Sequence, residues 1–256
     1  MTGTEKSRQP TGAKPEGEPG VEIVFPPDQR VHIEDTSTFP VRRIGRLEMT
    51  FPNKKVYSGT GTLIDDYHVL TAAHNLWGKE LGGWATGVSF TPAQNGPNDA
   101  PYGIGWAKRL DVPEEYRTLA PPSPLLTPGG VVVDYTQYVY DFGLITLDRA
   151  FDGTEIGLFA FDDGALLADP VSIIGYPGDK PTGTMWGETG RIGSLAEEFL
   201  FYKIDTYKGQ SGSSLLRSRQ GAVYSAGVHV AGSETLDTNF AVRLNQDNID
   251  QILAWM

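Results

Sequence analysis

The sequence predicts an all-β protein built as two antiparallel barrels of about six short strands each, closed off by one C-terminal helix. Three observations point there. Glycine and proline are abundant, with 31 and 18 residues, which favours many turns over long helices. Apolar residues alternate over short runs bounded by turn signals. Helical periodicity is confined to the end of the chain, so a parallel sheet with crossover helices is not expected.

The elements follow in order. Residues 1–22 are polar and carry no aromatic residue, so they cannot bury enough surface to offset the entropy of ordering; they read as a mobile tail or propeptide. The first barrel spans 23–150. The run Ile23-Val24-Phe25-Pro26-Pro27-Asp28-Gln29-Arg30 is an apolar entry into a turn, and Arg43 to Phe51 alternates from Ile44 as a strand. Pro52 to Lys55 is a turn. Tyr57 to Ile64 and His68 to His74 form a hairpin about Asp65-Asp66. Val88–Phe90 and Tyr102–Trp106 are weaker strands around a polar loop, and Pro113 to Gly130 reads as a long surface loop. Tyr138 to Leu147 reads as one continuous strand.

The second barrel spans 151–256, with Phe151 to Asp169 as its entry. Its strands are Val171–Ile174, Gly190–Leu195, Phe199–Ile204, Ser213–Leu216 and Ala222–Val230. The stretch Asn245 to Met256 reads as a helix capped by Asn245 or Asp247, with Ile249, Ile252, Leu253 and Met256 on one face.

Composition excludes several classes. There is no cysteine, which removes disulfides, thiolate catalysis and cysteine-ligated zinc. A formal charge of −11 argues against a nucleic-acid partner. No run is long and apolar enough to span a membrane, and Met1 to Gly20 lacks the apolar centre of a signal peptide. No cofactor is implied. The acidic pair Asp162-Asp163 lacks the spacing of a calcium site.

The chemistry centres on Gly209-Gln210-Ser211-Gly212-Ser213. An apolar alternation leads in and an apolar run leads out. Glycines permit a tight turn on which a serine hydroxyl can lie beside converging backbone N–H groups. A serine needs a base. Of the four histidines, His74 ends Thr71-Ala72-Ala73-His74, where small neighbours let an imidazole pack closely; His32 and His68 read as exposed. The base needs an acid to fix its tautomer. Asp141 lies between Tyr140 and Phe142, and an acid in an apolar stretch calls for a dedicated partner. Asp134 is the fallback, and Asp148 reads as a turn residue. The chain order His, Asp, Ser and the position of Gly212 directly after Ser211 both argue against an α/β-hydrolase nucleophile elbow.

These motifs resemble the chymotrypsin-fold serine proteases, and among them the bacterial glutamyl endopeptidases. Further matching segments are Gly175-Tyr176-Pro177-Gly178-Asp179-Lys180, Ile204-Asp205-Thr206-Tyr207 and Gly227-Val228-His229-Val230-Ala231-Gly232. The resemblance implies that His74 is the general base, Asp141 its orienting acid and Ser211 the nucleophile, with the N–H groups of Gly209 and Ser211 holding the oxyanion. It implies peptide or protein substrates cut after glutamate, and more slowly after aspartate, by a secreted monomer. Trypsin-like relatives bind basic side chains through an acid several places before the serine. Here the family pattern puts Thr206 in the pocket with His229 on its wall, a hydroxyl and an imidazole suited to a carboxylate. Asp205 would repel such a substrate, but strand alternation sends it to the opposite face from Thr206. The free amine of a mature N-terminus at Ile23 would complete the pocket, with cleavage after Glu22 producing it. Departures from the family pattern are mild: Ser214 replaces a common proline, and Arg217 to Ala222 is slightly long. The alternatives are a same-fold protease of other specificity, in which His229 is dispensable, and a non-catalytic binding protein of this fold.

Overall fold

The computed structural model describes residues 22–119, 124–127, 130–133, 136–153 and 155–256, with side chains left aside at 124–127 and 130–133. The first half is a closed six-stranded barrel. Its strands are Ile44–Thr50, Val56–Leu63, His68–Thr71, Gly87–Pro92, Gly105–Asp111 and Gly143–Leu147, all antiparallel. Closure comes from Gly143–Leu147, which pairs with His68–Thr71 on one side and Gly105–Asp111 on the other. Leu47, Met49, Val69, Phe90, Ile145 and Leu147 alternate inward and fill the barrel.

The second half is a bent sheet running Trp186–Gly190, Val171–Gly175, Ser214–Arg219, Ala222–Ser233, Thr238–Arg243, Phe199–Tyr202, Ile192–Leu195. The two ends of that path are halves of one bent strand interrupted at Arg191, so the backbone itself completes a six-membered ring. Val31–His32 adds at one rim and Gly157–Leu158 pairs in parallel at Tyr224–Ser225. Ile173, Leu200, Tyr202, Leu215 and Ala241 fill the interior.

A third apolar cluster joins the halves. Leu70, Phe142 and Leu144 of the first meet Val228, Phe240 and Val242 of the second, with Ile249 and Ile252 of the C-terminal helix. That helix spans Gln246–Trp255, and Asn245 caps it by accepting from the Asn248 amide. Its buried face is narrower than the periodicity predicts: Leu253 and Met256 are 53% and 46% exposed.

Other departures have local causes. The alternation from Tyr138 to Leu147 is a strand only from Gly143; Thr136–Tyr140 is a 3-10 turn that mimics the pattern. Tyr138 packs edge-on against Phe240, so an aromatic at strand spacing serves a turn. The strand expected at Tyr102–Trp106 lies at Gly105–Asp111. Within the loop expected at Pro113 to Gly130, a helix at Glu114–Thr118 buries Tyr116 against Trp77, and Pro124–Thr127 pairs with Gly130–Val133. In the expected linker after Phe151, Asp162 caps a short helix, Asp163–Ala168, so the acidic pair serves a helix start. Thr238–Arg243 shows no alternation because both its faces are buried, Ala241 inside the sheet and Phe240 with Val242 between the halves.

Candidate active site

The strand His68–Thr71 ends at the seam between the halves, and the 3-10 turn Ala73–Asn75 lifts His74 from its end. Ala72 and Ala73 are fully buried there, which is why the approach needs small residues. Asp141 lies just ahead of the closing strand, where the chain leaves the 3-10 turn. Its carboxylate is 1% exposed and accepts twice from His74, from the backbone N–H at 2.9 Å and from Nδ1 at 2.7 Å. Those bonds fix the ring and put the proton on Nδ1. Burial opposes protonation of His74, but the charge and hydrogen bond of Asp141, with Glu22 beyond, outweigh it; the imidazole pKa rises above its ordinary value. Asp134 lies outside the described residues.

Ser211 sits on a turn between the halves. The Gln210 amide donates to Tyr207, and Gly212 N–H donates to the His229 carbonyl at 2.8 Å. The first half grips the same turn. Thr60 N–H and Asn75 Nδ2 donate to the Ser211 carbonyl at 3.0 and 2.9 Å, and Thr60 Oγ1 donates to the Gly209 carbonyl at 2.7 Å. These bonds leave the Gly209 and Ser211 amides without an acceptor among the described residues. Gly209 and Gly212 have φ of 106° and 90°, left-handed values. A Cβ at Gly212 would lie 2.3 Å from the Thr60 carbonyl oxygen and 2.2 Å from Thr71 Oγ1. Gly212→Ala is therefore expected to cost at least about 2 kcal/mol, a drop of roughly 4–8 °C in Tm by calorimetry.

The side of the turn that carries His229 and Thr206 is buried. His229 is fully buried, with Nδ1 2.7 Å from Tyr202 Oη. Burial, and then the Glu22 charge, hold the Tyr202 phenol well above its ordinary range, so it stays protonated and donates; Nε2 of His229 then carries the other proton and faces the pocket. Thr206 is fully buried, and its Oγ1 has no partner among the described residues. Asp205 points the other way, accepting from the amides of Phe25 and Gln29 at 2.7 Å each, so its carboxylate anchors the entry segment.

That segment reaches the site. Ile23 donates from its amide to Asn239 Oδ1 at 2.8 Å, and its carbonyl accepts from Thr206 N–H and Asn239 Nδ2. Glu22, expected within the mobile tail, is instead 7% exposed; residues 1–21 lie outside the described part. Glu22 Oε1 accepts from Ser211 Oγ at 2.7 Å and lies 3.3 Å from His229 Nε2. Ser211 thus donates to Glu22, and no hydrogen bond joins it to His74 among the described residues. Arg30, also buried, clamps Asp28, Asp179 and Gln210, tying the entry segment to the Ser211 turn.

Two residues here escaped the sequence reading. Asn239 sits on the strand that shows no alternation, and its buried amide was the available signal. Arg30 reads as a turn residue until Asp179 and Gln210, distant in sequence, are seen beside the local Asp28. The two histidines expected to be exposed divide. His32 is exposed and stacks on Trp186, whereas His68 is partly buried and paired with Asp65 at 2.7 Å. Neither reaches the site.

A cleft of about 420 Å³ opens beside His74 and Ser211, lined by Tyr57, Trp77, Lys208 and Gly209 among others. Among the described residues, no cluster of three His, Cys, Asp or Glu side chains could hold a metal ion, and no helix is long and apolar enough to cross a membrane.

Comparison with known proteins agrees with this architecture. A protein of Bacillus subtilis (strain 168) named extracellular metalloprotease is 28% identical over 243 residues, 89% of this chain and 68% of the relative. A glutamyl endopeptidase of Bacillus licheniformis is 27% identical over 247 residues, 92% of this chain and 69% of the relative. A solved Glu endopeptidase in complex with MPD superposes with a TM-score of 0.74 at 24% identity, covering 91% of this chain and 98% of that one, and shares its fold. Residues 59–224, well over half of the chain, match the model of the trypsin-like peptidase domain. The chain belongs to the trypsin-like peptidase domain family and is a serine endopeptidase.

Proposed function

We propose that the protein hydrolyses peptide bonds on the carboxyl side of glutamate, and more slowly of aspartate, through a His74–Asp141–Ser211 triad. Asp141 holds the His74 tautomer, leaving Nε2 free to take the serine proton as Ser211 Oγ attacks the carbonyl. The developing oxyanion is met by the amides of Gly209 and Ser211, which have no other acceptor among the described residues. His74 returns the proton to the leaving amine, and water then releases the acyl group by the same path.

One observation carries the specificity. A glutamate carboxylate, that of Glu22, already lies 3.3 Å from the buried Nε2 of His229. Thr206 Oγ1, buried and unpartnered, supplies a second donor. The amine freed at Ile23 by cleavage after Glu22 would start from the amide position at Asn239 and add a positive charge. The chain carries −11 overall, so this local cluster rather than long-range steering must do the selecting. Secretion is proposed on the likeness to relatives such as the one named extracellular.

A set of chromogenic peptides differing only in the residue before the cleaved bond tests the reading, using chain that begins at Ile23. The expected order of kcat/KM is Glu, then Asp, then all others; preference for Lys or Phe overturns the specificity. The pH profile is a second check. The base must be neutral, and its pKa is raised, so activity should fall with decreasing pH through a midpoint above 6.5. A midpoint below 6.5 would contradict the Asp141 pairing.

A further inference from the structure

We infer that Glu22 is a tethered, inverted occupant of the specificity pocket, which keeps the uncut chain latent until a second molecule cuts after Glu22. The inference rests on the catalytic reading above.

The first support is where the carboxylate lies. Its Oε1 takes the hydrogen bond of the Ser211 hydroxyl at 2.7 Å and faces His229 Nε2 at 3.3 Å. The side chain is 2% exposed, so it fills the pocket rather than crossing its mouth. A substrate glutamate cannot make the same pair of contacts. Its carbonyl carbon must stand at Ser211 Oγ, with its carboxylate at the far end of a three-carbon arm. Here the carboxylate end of the arm itself touches Ser211 Oγ.

The second support is the direction of entry. Ile23 is fixed behind the pocket by both of its backbone groups, to Asn239 and to Thr206. Asp205 fixes Phe25 and Gln29 beyond it. The chain thus reaches the pocket from the second-half side, with the Glu22 arm pointing outward at the nucleophile. The amides of Gly209 and Ser211 receive no carbonyl from Glu22 among the described residues. For a molecule to cut its own Glu22–Ile23 bond, Ile23 would have to leave Asn239 and Thr206, and the arm would have to turn end for end. A second molecule must also draw Ile23 from Asn239 and Thr206, but the released segment can then enter that molecule's pocket in the substrate direction, with no reversal over its own Ser211.

The cut has two effects on one pocket. Hydrolysis breaks the Glu22–Ile23 amide, a water supplying hydroxyl to the Glu22 carbonyl and a proton to the Ile23 nitrogen. The negative carboxylate can then leave, and a positive amine is created at the residue held by Asn239. The uncut state is thus occupied by the group the cut state selects.

The test measures the rate at which Ser211 is phosphorylated by a fluorophosphonate, which reports an open nucleophile without needing a glutamate substrate. Three preparations are compared, each verified by intact mass: the uncut chain, the chain beginning at Ile23, and uncut Glu22→Ala. Labelling of the uncut chain is expected to be at least tenfold slower than that of the Ile23 chain, with uncut Glu22→Ala recovering most of the difference. Equal rates for the uncut and Ile23 chains overturn the inference and leave the catalytic reading intact. A slow rate that Glu22→Ala does not relieve also overturns it, assigning latency to residues 1–21. An Ile23 chain that does not label at all overturns the catalytic reading itself. The route of cleavage is read from the uncut wild type at several concentrations. A maturation half-time that shortens in proportion to concentration supports cutting by a second molecule, and one independent of concentration overturns it.

Discussion

Replacing Ser211 with alanine is expected to lower kcat by about 10⁵–10⁶-fold on every cleavable peptide while leaving the fold intact. Among the described residues the hydroxyl has one hydrogen-bond partner, Glu22, which chain beginning at Ile23 does not contain. The turn is held instead by backbone groups, through Thr60, Asn75 and His229. Thermal unfolding of the variant should therefore match the wild type within about 2 °C, since surface-type truncations cost little. Asp141→Asn should be nearly as damaging, about 10⁴-fold, because an amide can present its NH₂ to Nδ1 and stabilise the wrong tautomer. Steady-state kinetics on one Glu peptide checks both. Activity retained within tenfold in Ser211→Ala would place the nucleophile elsewhere.

His229→Ala is expected to act on selectivity rather than on turnover in general. The imidazole is buried and touches Tyr202 on one side and a carboxylate on the other. Removing the imidazole donor leaves a buried carboxylate short of a hydrogen bond, which costs about 3 kcal/mol or more, so kcat/KM on Glu peptides should fall by roughly 10²–10³-fold. Peptides with an apolar residue at that position make no such contact and should lose less than about tenfold. The Tyr202 hydroxyl is left unpartnered, a further cost of about 1–3 kcal/mol to the fold, so Tm is measured alongside. Equal losses on both peptide classes would remove His229 from recognition and reduce it to a packing residue.

The sequence is informative where local chemistry and alternation coincide. The hairpin about Asp65-Asp66 is legible from its acidic turn between two short strand-like runs, and the turn residues cap it: Asp65 accepts from both Tyr67 and His68. Gly209 and Gly212 are legible as turn glycines, and the left-handed φ values are the reason. Asp205 does turn to the entry segment as expected, although it lies beyond the strand, which ends at Tyr202. What is hidden depends on contacts between distant residues. Asp141 reads as a strand residue because its aromatic neighbours repeat at period two, whereas it lies at the exit of a 3-10 turn that packs Tyr138 on Phe240 of the second half and Tyr140 on the first barrel. Thr238–Arg243 is silent because both faces are buried, and that is where Asn239 waits for Ile23. Most of all, the polar texture around Glu22 gives no hint that one carboxylate turns back into the site. A single charged side chain with a matching pocket outweighs the composition of the segment that carries it.

The central claim is a serine protease whose pocket reads a carboxylate. It is tested most directly by the ratio of kcat/KM for two peptides that differ only in Glu against Gln before the cleaved bond, measured on chain beginning at Ile23. The two side chains are nearly isosteric, so the ratio isolates charge. A pocket built from His229, Thr206 and the Ile23 amine predicts a ratio of at least about 10², in line with the loss of a buried charged pair. A ratio near one would contradict it.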